Sequence, residues 1–182
     1  VNNPGWENIY EIKKEDKVEG GKINFFTGEK VKIKDLFYSS LVGSENTATL
    51  ALALSTGLSE EDFIKKMNEK AGQLNLKQTR FFDTVGLSKD NISTASEVAL
   101  IAQAAFVKEE IREATLKKKY EFKTKEGRPK IIRNTDGLLE VFPQNGIKIL
   151  GGKTGYTELA GYCFVGRFTN KDGKEIISEQ NN

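Results

Sequence analysis

The sequence predicts an α/β fold of the α+β type, with strands towards both ends of the chain and helices between them. Three observations carry this. Short runs rich in β-branched and aromatic residues, bounded by turn residues, occur up to residue 35 and again after residue 117. Apolar residues at helical spacing fill most of the stretch between. Two boxes of the [ST]-x-x-[DE] kind, Ser59-Glu60-Glu61-Asp62 and Thr94-Ala95-Ser96-Glu97, mark helix starts inside it. At 182 residues the chain suits one domain, residues 1–182, with a sizeable core.

Taken in order, Ile9-Tyr10-Glu11-Ile12 and Lys22-Ile23-Asn24-Phe25-Phe26 read as short strands, with turns at Gly20-Gly21 and Thr27-Gly28-Glu29. Asp35 is placed to cap a helix through Leu36, Phe37, Ser40 and Leu41 that ends near Gly43. Ser44 then opens a second helix through Leu50, Leu52, Ala53 and Leu54, apolar nearly all round and so expected to be buried. Behind Ser59, residues Phe63, Met67, Ala71 and Leu74 form a core stripe. Behind Thr94, the apolar side is expected to carry Val98, Ile101, Ala105 and Val107. Each cap should stabilise its helix by about 1 kcal/mol. The loop from Arg80 to Leu87 is expected to pin these two helices together.

Tyr120-Glu121-Phe122 alternates like a strand, and Ile131-Ile132 follows Pro129. The surrounding cations, from Lys117 to Arg133, read as the solvated face of an edge hairpin, where lysine discourages sheet-to-sheet pairing. A surface for an anionic polymer or lipid headgroup is the rival reading. The final strands are Gly151 to Thr157 and Tyr162 to Phe168, joined at Glu158-Leu159-Ala160-Gly161 and closed by Asn170-Lys171-Asp172-Gly173.

Composition excludes several chemistries. The chain is 37% hydrophobic and 30% charged with a net charge of +2, the profile of a soluble domain without a strong general attraction to nucleic acid. Histidine is absent and there is one cysteine. A Ser-His-Asp triad, a Cys-His dyad and His- or Cys-rich zinc sites are therefore impossible within this chain. A serine hydrolase built here would need lysine, tyrosine or a carboxylate as its base. Cys163 lies in an apolar strand and is expected to be a buried, inert thiol. No signal peptide and no apolar run long enough to cross a bilayer is found. Both chain ends read as boundaries of a larger product, since Val1 is not an initiator methionine and the last residues turn polar straight after a strand.

One stretch stands out chemically: Gly151-Gly152-Lys153-Thr154-Gly155-Tyr156-Thr157. An ammonium and a hydroxyl at one strand edge suit a carboxylate, and glycines on both sides would let a ligand backbone lie close. Ser44-Glu45-Asn46 stands 109 residues earlier (153 − 44) at a helix start. Read plainly, Ser44 is an N-cap and Asn46 belongs to the first turn.

Together the two stretches resemble two of the three motifs of the active-site serine penicillin-binding proteins, Ser-x-Asn and Lys-Thr-Gly, for which the third is Ser-x-x-Lys. The likeness extends further. The approach Glu29 to Tyr38, Met67 to Ala71, Phe81, Gly86-Leu87, Ser93-Thr94-Ala95, Asn134 before Leu138-Leu139, and Ala160 to Cys163 resemble the D-alanyl-D-alanine carboxypeptidases. The resemblance covers roughly residues 10 to 178 and implies an antiparallel sheet flanked by helices, β-lactamase/transpeptidase-like, present as an incomplete domain.

The resemblance also implies a mechanism: a nucleophilic serine attacks the D-Ala-D-Ala carbonyl of a peptidoglycan stem peptide, D-alanine leaves, and water hydrolyses the acyl-enzyme. β-Lactams stop the cycle as inhibitors. On that template Ser44 relays a proton to the leaving amine and Asn46 holds the substrate amide. Lys153 supplies charge at the substrate carboxylate and Thr154 a hydrogen bond to it. Gly155 permits close approach, and the Tyr156 N–H is one oxyanion donor. No metal or organic cofactor is implied. The implied location is extracytoplasmic, in the cell wall or periplasm, with a membrane tether outside this chain. None of the nine serines has lysine three positions later, so the nucleophile and its base are expected upstream of Val1. The stretch Asn145 to Leu150 also lacks the Val-Asp-Gly common before Lys-Thr-Gly in relatives. Two other readings stand beside this one. One is a non-catalytic relative that binds peptidoglycan peptide or a protein partner. The other is a class A β-lactamase, less well matched because no glutamate is placed as a convincing deacylating residue.

Overall fold

In a computed structural model describing residues 5–18 and 25–181, five helices are set among three antiparallel sheets. Strands β1 (Ile9–Glu11) and β2 (Lys30–Lys32) pair first. Helices α1 (Ile33–Gly43), α2 (Asn46–Leu54), α3 (Glu60–Gln73), α4 (Ala95–Phe106) and α5 (Glu109–Thr115) follow. Then come the hairpin β3 (Lys119–Lys123) and β4 (Pro129–Arg133), a 3₁₀ turn over Gly137–Glu140, and the sheet β5 (Lys148–Thr157), β6 (Gly161–Thr169) and β7 (Glu175–Asn181) in the order β5-β6-β7. Of the strand expected at Lys22–Phe26, residues 22–24 lie outside the described residues, and Phe25 and Phe26 are not in a strand.

Helix α1 organises the packing. Leu36 is buried with Ile12, Phe25, Val31, Ala48 and Ala51, while Tyr38 and Val42 are buried with Ala114 and Ile132. Full burial of such aliphatic side chains is worth about 1.5–3 kcal/mol each. The two clusters tie α1 to β2 and α2 on one side and to α5 and β4 on the other. Gly43 ends the helix where a Cβ would stand 2.5 Å from Ile132 Cγ2, so only glycine lets α1 meet β4 this closely. Lys130 on β4 is buried with its Nζ donating to both oxygens of buried Glu29, at 2.9 and 2.8 Å, which ties the hairpin to the turn before β2. A buried pair of this kind needs two-sided compensation to offset desolvation, and Arg128 at 3.0 Å from Glu29 Oε1 adds to it.

Several local expectations hold. Ser59 and Thr94 cap α3 and α4, accepting from the N–H groups of Asp62 and Glu97. Most of α2 is buried. Others change. Asp35 is not the cap of α1, whose N-cap is Lys32; its carboxylate accepts from Tyr120 Oη at 2.6 Å instead. On α4 the buried side carries Ala102 and Phe106, and Val107 is exposed, because the chain has already left the helix there. Glu97 reaches sideways rather than back to its cap, accepting from Thr79 Oγ1 at 2.6 Å and from the Gln78 N–H. The Arg80–Leu87 loop does join α3 and α4, mainly through polar bonds: Asn68 on α3 brackets Phe81, and Arg80 pairs with Ile92 just before α4.

Candidate active site

Ser44 is the C-cap of α1, not the N-cap of α2. It adopts the left-handed region at φ 52° while its N–H closes on Ser39 O. Glu45 takes the capping role for α2, its carboxylate accepting from the Ala48 N–H. The Ser44 hydroxyl is therefore not spent on a helix end. The sharp reversal between α1 and α2 presents it on a wall of a cleft of ≈ 1670 Å³, beside Asn46, the first residue of α2.

The opposite wall is β5. Its Lys153 Nζ donates to Ser44 Oγ at 2.6 Å and to the Thr154 carbonyl at 2.7 Å. These two acceptors use two of the ammonium's three protons. Burial pushes the Lys153 ammonium down to about 8, and the nearby Asp136 charge opposes that shift. Thr154 Oγ1 is 2.6 Å from Thr135 Oγ1, in the segment after β4. Tyr156 is exposed and packs against Tyr162 across the hairpin, the rings tilted by 41° with centroids 4.6 Å apart. Ser44, Asn46, Lys153, Thr154, Gly155 and Tyr156 all line the one cleft.

The glycines play different parts from those expected. A Cβ on Gly151 would stand 2.8 Å from the Phe106 ring, and one on Gly152 would stand 2.7 Å from Asp136 Oδ2. Both are buried and make room for this chain's own side chains rather than for a ligand. Gly155 alone fits the open-approach reading, since its nearest neighbour would be Cys163 Cβ at 3.7 Å. Cys163 itself is half-buried at the cleft rather than sealed in the core.

The sequence matches the D-alanyl-D-alanine carboxypeptidase family over residues 8–179. The chain belongs to that family. Among its relatives, a D-alanyl-D-alanine endopeptidase of Haemophilus influenzae is 35% identical over 160 residues, covering 86% of this chain and 51% of the relative. The D-alanyl-D-alanine carboxypeptidase DacF of Bacillus subtilis is 34% identical over 166 residues, covering 85% and 41%. The chain thus spans about half the length of these relatives. Of solved structures, the Streptomyces K15 DD-transpeptidase superposes with a TM-score of 0.88 at 28% identity, covering all of this chain and 74% of that one. A D-alanyl-D-alanine carboxypeptidase from Mycobacterium tuberculosis gives 0.86 at 26%, covering 97% and 66%. The helices and antiparallel sheets described above are those of this transpeptidase-like fold.

Within the family frame, sequence reasoning missed two residues at the cleft, Thr135 and Asp136. Asn134-Thr135-Asp136-Gly137 reads locally as a turn, and nothing in it reveals that a hydroxyl meets Thr154 or that a carboxylate lies beneath Gly152. The one signal was the placement of Asn134 ahead of Leu138-Leu139.

Proposed function

We propose that this chain is the greater part of the catalytic domain of a serine-type D-alanyl-D-alanine carboxypeptidase, acting on peptidoglycan stem peptides through an acyl-enzyme outside the cytoplasmic membrane. The observation that carries the reading is the 2.6 Å bond from Lys153 Nζ to Ser44 Oγ, which joins the two recognisable motifs in one cleft. Ser44 accepts from the ammonium and so has its own proton to offer the departing amine; a hydroxyl can do both. Lys153 and Thr154 take the substrate's terminal carboxylate, Asn46 the backbone amide behind it. β5 is an edge strand, paired only with β6 among the described residues, so an extended peptide can add along its free side, as in strand augmentation. At Gly155 the absence of a side chain allows that approach, and the Tyr156 N–H serves the developing oxyanion.

On this proposal the nucleophile and its lysine base lie outside residues 1–182, because no serine here is followed by lysine at the third position. β-Lactams are the expected inhibitors. No helix among the described residues is long and apolar enough to cross a membrane, and a tether outside this chain is part of the proposal. The test is incubation of the intact protein with a fluorescent penicillin. Covalent label is expected. Its absence, together with binding of a peptide ending in D-Ala-D-Ala, would favour a non-catalytic peptide-binding relative instead.

A further inference from the structure

Asp136 sits behind the cleft wall with an arrangement the proposed reaction does not yet use. It is 5% exposed. Its Oδ1 accepts from the Leu138 N–H at 2.9 Å, capping the 3₁₀ turn, and its own N–H donates to Asn134 Oδ1 at 2.8 Å. Asn134 is fixed in turn, its Nδ2 donating to the carbonyls of Thr115 and Lys117. The second carboxylate oxygen, Oδ2, is buried without a hydrogen-bond partner. An unpaired buried carboxylate oxygen is costly unless a charge nearby offsets it. Oδ2 lies against the bare Cα of Gly152, the residue before Lys153. A capping role alone would be served by asparagine or serine and would explain neither the carboxylate nor the missing Cβ at Gly152.

We propose that Asp136 is a positioning residue for Lys153: its orphaned buried carboxylate oxygen, admitted beneath β5 by Gly152 in the cleft that Lys153 also lines, is the negative charge that orients the Lys153 side chain towards Ser44. The inference rests on the cleft being the carboxylate-binding site proposed above. Burial raises the Asp136 carboxyl, with the Leu138 N–H and the Lys153 charge acting against that rise. The reciprocal effect appears at Lys153, where Asp136 opposes the larger pull of burial. Other charged groups around the cleft are engaged or solvated. Arg133 on β4 and Glu158 in the β5–β6 turn are exposed. On α5, Glu109 and Glu110 are exposed, Arg112 donates to the Phe106 carbonyl, and Glu113 accepts from Tyr38. On β6, Arg167 is held by Glu175, and Glu140 of the 3₁₀ turn by Lys118.

The experiment compares wild type with Asp136→Asn in the intact protein, labelled with [ε-¹³C]lysine. The Lys153 signal is assigned by its loss in Lys153→Met. Asparagine retains the cap and removes the charge. The expected result is a fall of about one pH unit in the Lys153 midpoint, with the alkaline limb of penicillin acylation moving by the same amount. An unchanged Lys153 midpoint in Asp136→Asn overturns the inference whatever the activity. If Asp136→Asn does not fold, Asp136→Ser, which keeps a capping oxygen, is read in the same way. Failure of the penicillin to label wild type, with the midpoint shift present, would sink the reaction and leave the positioning of Lys153 standing.

Discussion

Thr135 Oγ1 and Thr154 Oγ1 share a 2.6 Å hydrogen bond although they belong to different elements, one in the segment after β4 and the other on β5. The bond fixes the rotamer of Thr154, the hydroxyl proposed to meet the substrate carboxylate. Thr135→Val keeps the shape and removes the bond. The expected outcome is a loss of about threefold to tenfold in the second-order rate of penicillin acylation. The unfolding midpoint should stay close to wild type, because the pair is solvent-accessible.

The three glycines of β5 should separate cleanly. In Gly152→Ala the new methyl meets Asp136 Oδ2 at 2.7 Å, Phe164 Cε2 at 3.0 Å and Ile149 Cδ1 at 3.2 Å. Overpacking of that kind costs about 1–3 kcal/mol, read as a lowered urea midpoint. Gly151→Ala, pressed into the Phe106 ring, should behave alike. Gly155→Ala meets nothing closer than 3.7 Å and should fold normally, but lose about 10–10²-fold in acylation by displacing the substrate strand.

The proposed carboxylate binding needs Lys153 protonated. With its pKa lowered by burial to about 8, acylation should decline as pH rises through that value. Stability should move the other way. The ordinary lysine value of 10.5 describes the unfolded chain, so between about 8 and 10.5 the unfolded state binds more protons than the native state. Stability therefore rises with pH across that window, and the Lys153→Met variant should lose that rise. Urea melts at several pH values check both halves.

Asp83 holds the loop at the cleft mouth. Its carboxylate accepts from the N–H groups of Gly86, Leu87 and Ser88 and from Asn91 Nδ2. Burial pushes the carboxyl up, but those donors more than offset it and the value ends below the ordinary range. The contribution is thus present above the unfolded carboxylate pKa and lost only as pH falls through the lower folded value. Asp83→Ala should abolish amide-exchange protection at Gly86, Leu87 and Ser88 while leaving the α1 amides protected.

Much of this was legible in the residues. Ser59 and Thr94 announced their helices because capping is local chemistry, and the β3–β4 and β5–β6 hairpins followed from alternation and turn residues. Ser44 and Lys153 were placed together by motif, and their contact is now a distance. Most of what local pattern misplaced was decided by tertiary partners. Asp35 was drawn from capping to Tyr120, Ser44 took a left-handed C-cap while Glu45 did the capping, and Gly151 and Gly152 answer to Phe106 and Asp136. Tyr120, Phe106 and Asp136 lie far along the chain from the residues they explain, whereas the Ser44–Glu45 exchange is settled locally, with Ser39 and Ala48.

A double-mutant cycle on Ser44 and Lys153 in the intact protein, read as the rate of acylation by a fluorescent penicillin, tests the central claim most directly. Ser44→Ala and Lys153→Met should each lower the rate by about 10²–10³, and the double variant should be little worse than either alone, because the two groups act as one unit. Losses that multiply, or a wild-type protein that takes no label, would contradict the account.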